Sequence, residues 1–568
     1  QHAPDEAGNI ALPLQNLKNI HLQSSLAREI QPNGSMTRVW LFGVAGLFVL
    51  LMAAINYINL NMVQSLKKLR ETGVRKALGS TRRHLVLYFI ASAGLVTFLA
   101  TLLAFLLVGI FLPWFREFAL VAVPWHSLLL PALLTGLAIT LLAGYYPAFV
   151  LSSAQTLSAL KNTASLAIGC QKTSLQHTLV ALQLVLCIML ISSAFVTRSQ
   201  FRYLIQKNTG LQKEQLLAIT GVPATVKNSY PALKNRLQQL PKVQGVTSAM
   251  EVPSREIRDA GPVMLQGSAV PHEEAPTMDI QVVDHDFIEL MGLELLAGRN
   301  FSERPINMPS GEADLLTWLQ EQKREYIINK TAMKMLGFQE PDQIINQRIN
   351  WNIGNISLQT GPVVGVVQDF HQESLRNKIE PLVMIREPVW TNNILVKLQG
   401  GQTDVALSAI KAQWQQLFPE VPLEYAFVDD MYNRLYETEK KQIKLIYIFS
   451  ALAVLISFSG IFGLLTYLLK TREKEIAIRK VLGAGLQSLA MLLGRRFLLL
   501  MLAGTAVAVP LAWLGMAHWL QSFAYRIDLN GHRFLVALLL VALVLMLLIV
   551  AQLGKTALRN PADTLRTE

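Results

Sequence analysis

The chain has 568 residues, of which 52% are hydrophobic and only 16% charged, and its mean hydropathy is +0.34. Soluble domains carry about 25% charged residues, so an ordinary soluble protein is excluded. The formal net charge of +12 does not point to nucleic acid, because much of the excess lies in short segments beside apolar runs, where the positive-inside rule places it.

Residues 1–38 are polar and read as the remnant of a first extracytoplasmic core domain. Seven apolar segments follow, at about 39–60, 87–112, 128–150, 177–197, 444–468, 497–517 and 532–552. Each is close to the ~20 residues that a helix needs to cross the hydrocarbon core. They divide the chain into a three-helix membrane unit (39–150), a cytoplasmic linker (151–176), a single span (177–197), a hydrophilic segment (198–443), a second three-helix unit (444–552) and a cytoplasmic tail (553–568).

Lys and Arg set the expected orientation. The 61–86 loop carries Lys67, Lys68, Arg70, Arg75, Lys76, Arg82 and Arg83, and the 469–487 loop carries Lys470, Arg472, Lys474, Arg479 and Lys480. The 113–127 loop has only Arg116. The basic loops and the C-terminus are therefore expected in the cytoplasm, and 1–38 and 198–443 outside.

Within 198–443, β-branched or alternating runs at 216–221, 263–267, 325–328, 362–367, 381–385 and 393–398 read as strands. Helical patterns lie at 228–240, 286–291, 330–337 and 403–417, giving an α+β domain. Residues 197–208 and 424–443 read as outward extensions of the flanking spans, a stalk with Tyr425, Val428, Met431 and Leu435 on one face. The expected fold is a polytopic α-helical membrane protein with an α+β extracytoplasmic domain. A span and a domain precede three spans in the second half, so a complete first half would bring the total to eight spans.

A basic motif occurs twice. Glu71-Thr72-Gly73-Val74-Arg75-Lys76-Ala77-Leu78-Gly79 returns as Glu475-Ile476-Ala477-Ile478-Arg479-Lys480-Val481-Leu482-Gly483. In each copy the glutamate stands four residues before the arginine, the order that supports a helix. Gly79 and Gly483 stand where a left-handed cap would end it. One such loop alone is explained as a membrane anchor, but two that share helix support, basic pair and terminal glycine are better explained as docking helices for a cytoplasmic partner. Leu66, Leu69, Gly73 and Ala77 fall near one face of the first.

These residues resemble the FtsX-like permease family of ABC transporters, in the subgroup with MacB-type periplasmic core domains. The resemblance extends to Asn56-Tyr57-Ile58-Asn59-Leu60, Leu182-Gln183-Leu184, Gly292-Leu293-Glu294-Leu295-Leu296-Ala297-Gly298-Arg299-Asn300-Phe301, Ile328-Asn329-Lys330-Thr331-Ala332, Gly365-Val366-Val367-Gln368-Asp369-Phe370-His371 and the ending Asn560-Pro561-Ala562-Asp563-Thr564-Leu565-Arg566. It implies that Glu71, Arg75, Lys76, Gly79, Glu475, Arg479, Lys480 and Gly483 mark two loops that dock on a separate ABC ATPase dimer. That partner, not this chain, would bind ATP. The chain would move or extrude a periplasmic or membrane-embedded substrate, possess no catalytic centre of its own, and meet a periplasmic adaptor or substrate.

Other chemistries are poorly supported. Gly554-Lys555-Thr556 resembles the end of a P-loop, but its first glycine would fall on Ile549, inside an apolar run. None of the seven spans as drawn holds Asp or Glu, where an ion carrier keeps ionisable groups. His371 with Glu373, and His272-Glu273-Glu274, lack the spacing of a helical zinc site, and Cys170 and Cys187 have no ligand spacing. Asn56, Asn59 and Asn61 fit helix-end hydrogen bonding better than a polar gate. The alternative function is a transmembrane relay that passes ATPase motion to an outside partner, such as a cell-wall hydrolase, and moves no substrate.

Overall fold

The computed structural model describes residues 36–67, 69–119, 123–153, 164–271, 274–303, 312–353, 356–401, 403–471, 473–482 and 485–557, with a few isolated positions before residue 36. The greater part of the 1–38 segment, His272, Glu273, Gly483 and the 560–566 ending lie outside the described residues. Residues 1–200, 440–520 and 528–568 form one compact unit, and 201–439 with 521–527 form a second.

The first unit opens with α1 (Met36–Lys67), α2 (Leu69–Ala77), α3 (Arg82–Ala119), α4 (Leu129–Ser153) and α5 (Ala164–Gln206). In the second unit, α5 ends and is followed by β1 (Leu216–Ile219), α6 (Tyr230–Gln238), β2 (Val243–Ala249), β3 (Ala260–Leu265), β4 (Thr277–Val282), β5 (Leu295–Gly298) and β6 (Tyr326–Asn329). Next come α7 (Lys330–Met335), β7 (Arg348–Ile353), β8 (Ile356–Ser357), β9 (Gly361–Val367), β10 (Leu382–Ile385), β11 (Asn393–Leu398), α8 (Thr403–Leu417), β12 (Tyr425–Phe427) and α9 (Val428–Leu435). The chain re-enters the first unit with α10 (Glu437–Thr471), α11 (Glu473–Val481), α12 (Leu486–Leu520) and α13 (Gly531–Ala557).

Among the described residues seven helices are long and apolar enough to cross a membrane: 39–62, 82–118, 125–144, 176–206, 437–470, 494–520 and 531–554. Lipid tails are as apolar as leucine, so what holds such helices together is close packing through small residues and hydrogen bonds between side chains and backbone. Both operate where α1 meets α10. A Cβ on Gly460 would stand 2.7 Å from Asn56 Oδ1, and one on Gly463 2.5 Å from Leu60 Cδ2. Asn56 Nδ2 donates to Ser459 Oγ at 2.9 Å, and Gln183 Nε2 of α5 donates to the Ile456 carbonyl at 3.2 Å. Gly504 brings α12 against Ala181, Leu184 and Val185 of α5. Met52, Leu184, Ile188, Ile461, Leu465, Met501 and Val541 fill the interior.

The second unit is an α+β domain with two sheets. The smaller, in the order β12-β1-β11-β2, is antiparallel. Leu217, Ile219, Val246, Ile394 and Val396 on one of its faces pack against Leu233 and Leu237 of α6 and Ile410 and Trp414 of α8. The larger runs β5-β9-β6-β10-β4-β3-β7-β8, with β6–β9 and β10–β4 parallel and the other neighbours antiparallel. Leu216, Ala218 and Leu395 share a core with Ile327, Val364, Met384 and with Val428 and Tyr432 of α9. The six expected strands are present. The expected stalk over 424–443 is not one helix: Tyr425–Phe427 pair with the edge of β1, α9 buries Val428 and Tyr432 in the domain, and α10 starts only at Glu437.

Three motifs singled out in the sequence are joints of this domain. Asn329 caps α7, where its Oδ1 accepts from Ala332 N (2.8 Å) and Leu382 N (3.0 Å) while its Nδ2 donates to the Glu380 carbonyl (2.9 Å). Asp369 accepts from the backbone N–H and hydroxyl of Thr331, both at 2.9 Å, locking the 365–371 motif onto the 328–332 motif. In the 292–301 motif Gly298 has φ +81°, and a Cβ there would strike the Val364 carbonyl.

The neighbouring Arg299 forks onto Glu325 with bonds of 2.7 and 3.2 Å, and Ser302 adds its N–H at 2.8 Å and hydroxyl at 2.7 Å. Burial opposes ionisation, but these hydrogen bonds and the Arg299 charge hold the Glu325 carboxyl down at about 2, against an ordinary 4.5. A depressed acid stabilises the fold fully above pH 4.5 and loses that contribution as the pH falls from 4.5 toward 2. Glu325→Gln is expected to cost about 1–2 kcal/mol at pH 7. In thermal unfolding of the detergent-solubilised chain, the gap between variant and parent should close as the pH drops through that window.

The α1–α10 crossing has its own test. Gly460→Leu overfills it, at a cost of about 1–3 kcal/mol. Ser457 Oγ lies 3.5 Å from Met52 Sδ, so a Met52→Cys, Ser457→Cys pair in a Cys170→Ala, Cys187→Ala background should be bridged by a short bis-thiosulfonate cross-linker, and Gly460→Leu should lower the yield.

Candidate functional site

The candidate residues sit on two nine-residue helices that join long ones: α2 between α1 and α3, and α11 between α10 and α12. Each carries the expected i,i+4 pair, with Arg75 Nη2 2.8 Å from Glu71 Oε1 and Arg479 Nη2 2.8 Å from Glu475 Oε1. All four side chains are about half exposed, so water screens the pairs and each adds only ~0.3–0.5 kcal/mol to its helix.

Gly79 ends α2 as expected. Its φ is +93°, its N–H donates to the Lys76 carbonyl (3.0 Å), and the Ser80 N–H reaches back to the Arg75 carbonyl (3.0 Å). These are the two bonds of a Schellman cap. Nothing lies within 4 Å of a Cβ at Gly79, so conformation and not space demands the glycine. Lys76 is held below its ordinary value by burial and by Arg82. The Lys480 side chain and Gly483 lie outside the described residues.

The two helices differ in one contact. The Arg75 guanidinium lies 4.5 Å over the Tyr88 ring of α3, a cation–π contact that anchors α2. The corresponding residue of the second copy is Leu492, which has no such face to offer.

What each helix presents is less charged than the motif suggests. Thr72 and Gly73 are buried, as is Ile476, which corresponds to Thr72. Ala77, expected on the same face as Gly73, is exposed. Val74 and Leu78 are 43% and 82% exposed, and their counterparts Ile478 and Leu482 are 50% and 80% exposed. Each helix, with the residue that follows it, thus exposes apolar side chains four residues apart beside a Glu–Arg pair that is already satisfied. The i,i+4 spacing of these apolar residues is their signal in the sequence.

The remaining candidates resolve into structural roles. Gly554, Lys555 and Thr556 lie in the last turns of α13, not in a loop. Asn61 donates to the Ala143 carbonyl at 3.0 Å, and Asn56 bonds α10, so both join helices. The His371 ring meets the Tyr525 ring edge-on at 4.7 Å. Burial, with Lys207, pushes His371 down to about 4 against the opposing Asp369, so it is neutral at pH 7. The adjoining cavity, with Asn329, Glu373 and Glu380 in its wall, measures about 30 Å³, room for a single water. Among the described residues no three His, Cys, Asp or Glu gather as a metal site would require.

One segment escaped the sequence reading. Residues 521–527, between α12 and α13, belong to the α+β unit. The Ala524 N–H donates to the Arg376 carbonyl at 3.1 Å, the Phe523 ring meets Phe201 edge-on at 6.2 Å, and Lys207 Nζ lies 3.7 Å from the Tyr525 ring centre.

Residues 43–156 and 447–561 each match the family model described as FtsX-like permease C-terminal. No curated protein matches the chain. Among solved structures, the periplasmic region of MacB from Actinobacillus actinomycetemcomitans matches 41% of this chain and 97% of its own, at 13% identity and a TM-score of 0.26. A domain of a proposed permease from Porphyromonas gingivalis matches 37% of this chain and 86% of its own, at 14% identity and a TM-score of 0.23.

Because the Glu–Arg pairs are solvated, Glu71→Gln with Glu475→Gln should lower thermal stability by less than ~1 kcal/mol in total. Unfolding of the purified double variant, compared with the parent, checks this.

Proposed function

We propose that this chain, which carries the FtsX-like permease domain twice, is the membrane subunit of an ABC-type complex driven by a separate ATPase. The observation that carries the reading is the pair α2 and α11: two short helices of matching charge pattern, each with an exposed apolar pair at equivalent positions. A dimeric ATPase offers two equivalent grooves, and a duplicated chain offers two equivalent helices to fill them. On this reading the basic loops face the cytoplasm, ATP binds to the partner, and the α+β domain stands on the other side of a bacterial inner membrane.

ATPase closure would move α2 and α11 together, and with them α1 and α10, to which they are joined. The α+β domain continues covalently into the membrane helices through α5 and α10, and the 521–527 segment between α12 and α13 holds to it by the Ala524–Arg376 hydrogen bond and ring contacts, so motion of the spans has three routes into it. That supports mechanical extrusion of a periplasmic or membrane-embedded substrate. A relay to a periplasmic partner uses the same parts, and the docking of 521–527 on the domain favours keeping that second reading in view.

Leu78→Glu with Leu482→Glu should reduce recovery of an ABC ATPase with the chain from native membranes by tenfold or more, since burying a charge in an apolar groove costs several kcal/mol. Arg75→Glu with Arg479→Glu should weaken it less. Undiminished ATPase recovery in both double variants would overturn the reading. So would labelling of Leu78→Cys by a membrane-impermeant maleimide applied to the outer face of intact spheroplasts.

A further inference from the structure

We infer that α12 and α13 hold an anionic membrane phospholipid, one acyl chain in an apolar groove and its phosphate on Arg495. The inference needs only a membrane-spanning chain and stands whether or not the docking proposal does.

The groove has a volume of about 490 Å³, within the ~300–1,000 Å³ of small-molecule sites. Its floor is Met501, Leu545 and Ile549, all buried, and its rim is Met491, Leu498 and Met546, all exposed. It therefore opens outward from the packed interior. Methionines on floor and rim suit an occupant of variable shape, because the thioether chain is flexible and polarisable. Arg495 is the one ionisable group among the described lining residues, and it is exposed at the start of the apolar span 494–520. A cation at that level meets lipid phosphates.

The first copy of the membrane unit shows the same helix pair closed. Between α3 and α4, a Cβ on Gly144 would stand 3.1 Å from Ile90 Cα, one on Gly136 would stand 2.9 Å from Thr101 Oγ1, and Thr97 bonds Thr140. With the starts and the ends of the two matched segments in register, Ile90 and Gly144 become Gly494 and Ile549, Thr97 and Thr140 become Met501 and Leu545, and Gly136 becomes Val541. Gly136, Thr97, Thr140 and Gly144 of the first pair give way to the large apolar Val541, Met501, Leu545 and Ile549, while Ile90 gives way to Gly494, where a Cβ would meet Ile549 only at 3.9 Å. The residue in place of Arg495 is Ala91, so the charge accompanies the groove. An apolar trough open toward hydrocarbon, with one cation at its mouth, matches an acyl chain under an anionic headgroup.

The test uses the full chain reconstituted in vesicles of equal phosphatidylglycerol and phosphatidylcholine, extracted in mild detergent and washed, with retained lipid quantified by mass spectrometry. Phosphatidylglycerol should be enriched about fivefold, the equivalent of the ~1 kcal/mol that one Lys or Arg contributes against anionic lipid. Arg495→Gln should abolish the enrichment and Arg495→Lys should keep it. Ala542→Trp, which fills the groove, should lower retention of both lipids; if that variant does not fold, the Arg495 arm decides alone. Equal retention of the two lipids by the parent would overturn the inference. Loss of the enrichment in millimolar inorganic phosphate would also overturn it, since the site would then take a free anion. A Leu498→Cys crosslink to a second copy of the chain would show a protein occupant and overturn it as well.

Discussion

The membrane unit depends on the close approach of α1 and α10. These helices are the same element of the two copies, and Asn56 and Gly460 occupy the same position in each. They also touch. A residue that meets its own counterpart lies on the axis relating two equivalent halves, where identical side chains compete for one space. Two asparagines there would clash and two glycines would leave nothing to bond. Divergence has split the contact into a donor and a hole: Asn56 fills the space that Gly460 leaves, and its Nδ2 finds Ser459. In hydrocarbon such an amide has no water to fall back on, so the bond selects this crossing over alternatives of similar apolar area.

The consequence reaches the candidate site through connectivity. Neither α2 nor α11 has enough apolar surface to fix its own position, and each inherits it from the long helices on either side. Helices of nine residues are marginal alone. The Glu–Arg pairs and the Gly79 cap keep α2 and α11 helical, while Thr72 and Ile476 seat them. What remains outward is the apolar pair, Val74 with Leu78 and Ile478 with Leu482.

Much of this was legible in the sequence. The seven spans follow from apolar length alone, and the i,i+4 pairs and the Gly79 cap follow from spacing. Six strands were visible as β-branched runs. The others were hidden because their buried positions are partly polar. In β4, Gln281 is buried and its amide is satisfied by the Glu251 carbonyl (2.6 Å). In β2, Thr247 and Ser248 are buried. Such partners come from distant chain segments, so no local period reports them. Residues 425–427 read as helix because Tyr425 and Val428 suit either structure, and pairing with the β1 edge decided the outcome. The 521–527 segment is short and irregular, and its role rests on contacts with Phe201, Lys207 and Arg376 that sequence proximity cannot suggest.

Duplication also shows where the halves have been free to differ. Some positions stayed alike: Glu71 and Glu475, Arg75 and Arg479, Leu78 and Leu482. Others diverged: Asn56 against Gly460, Ile90 against Gly494, Tyr88 against Leu492 and Ala91 against Arg495. Selection by a two-fold partner acts on both copies of a contact at once, whereas packing against the other half, or against the bilayer, rewards complementarity and not identity. Likeness between the copies is what a shared partner would preserve, and difference is what packing of one half against the other permits.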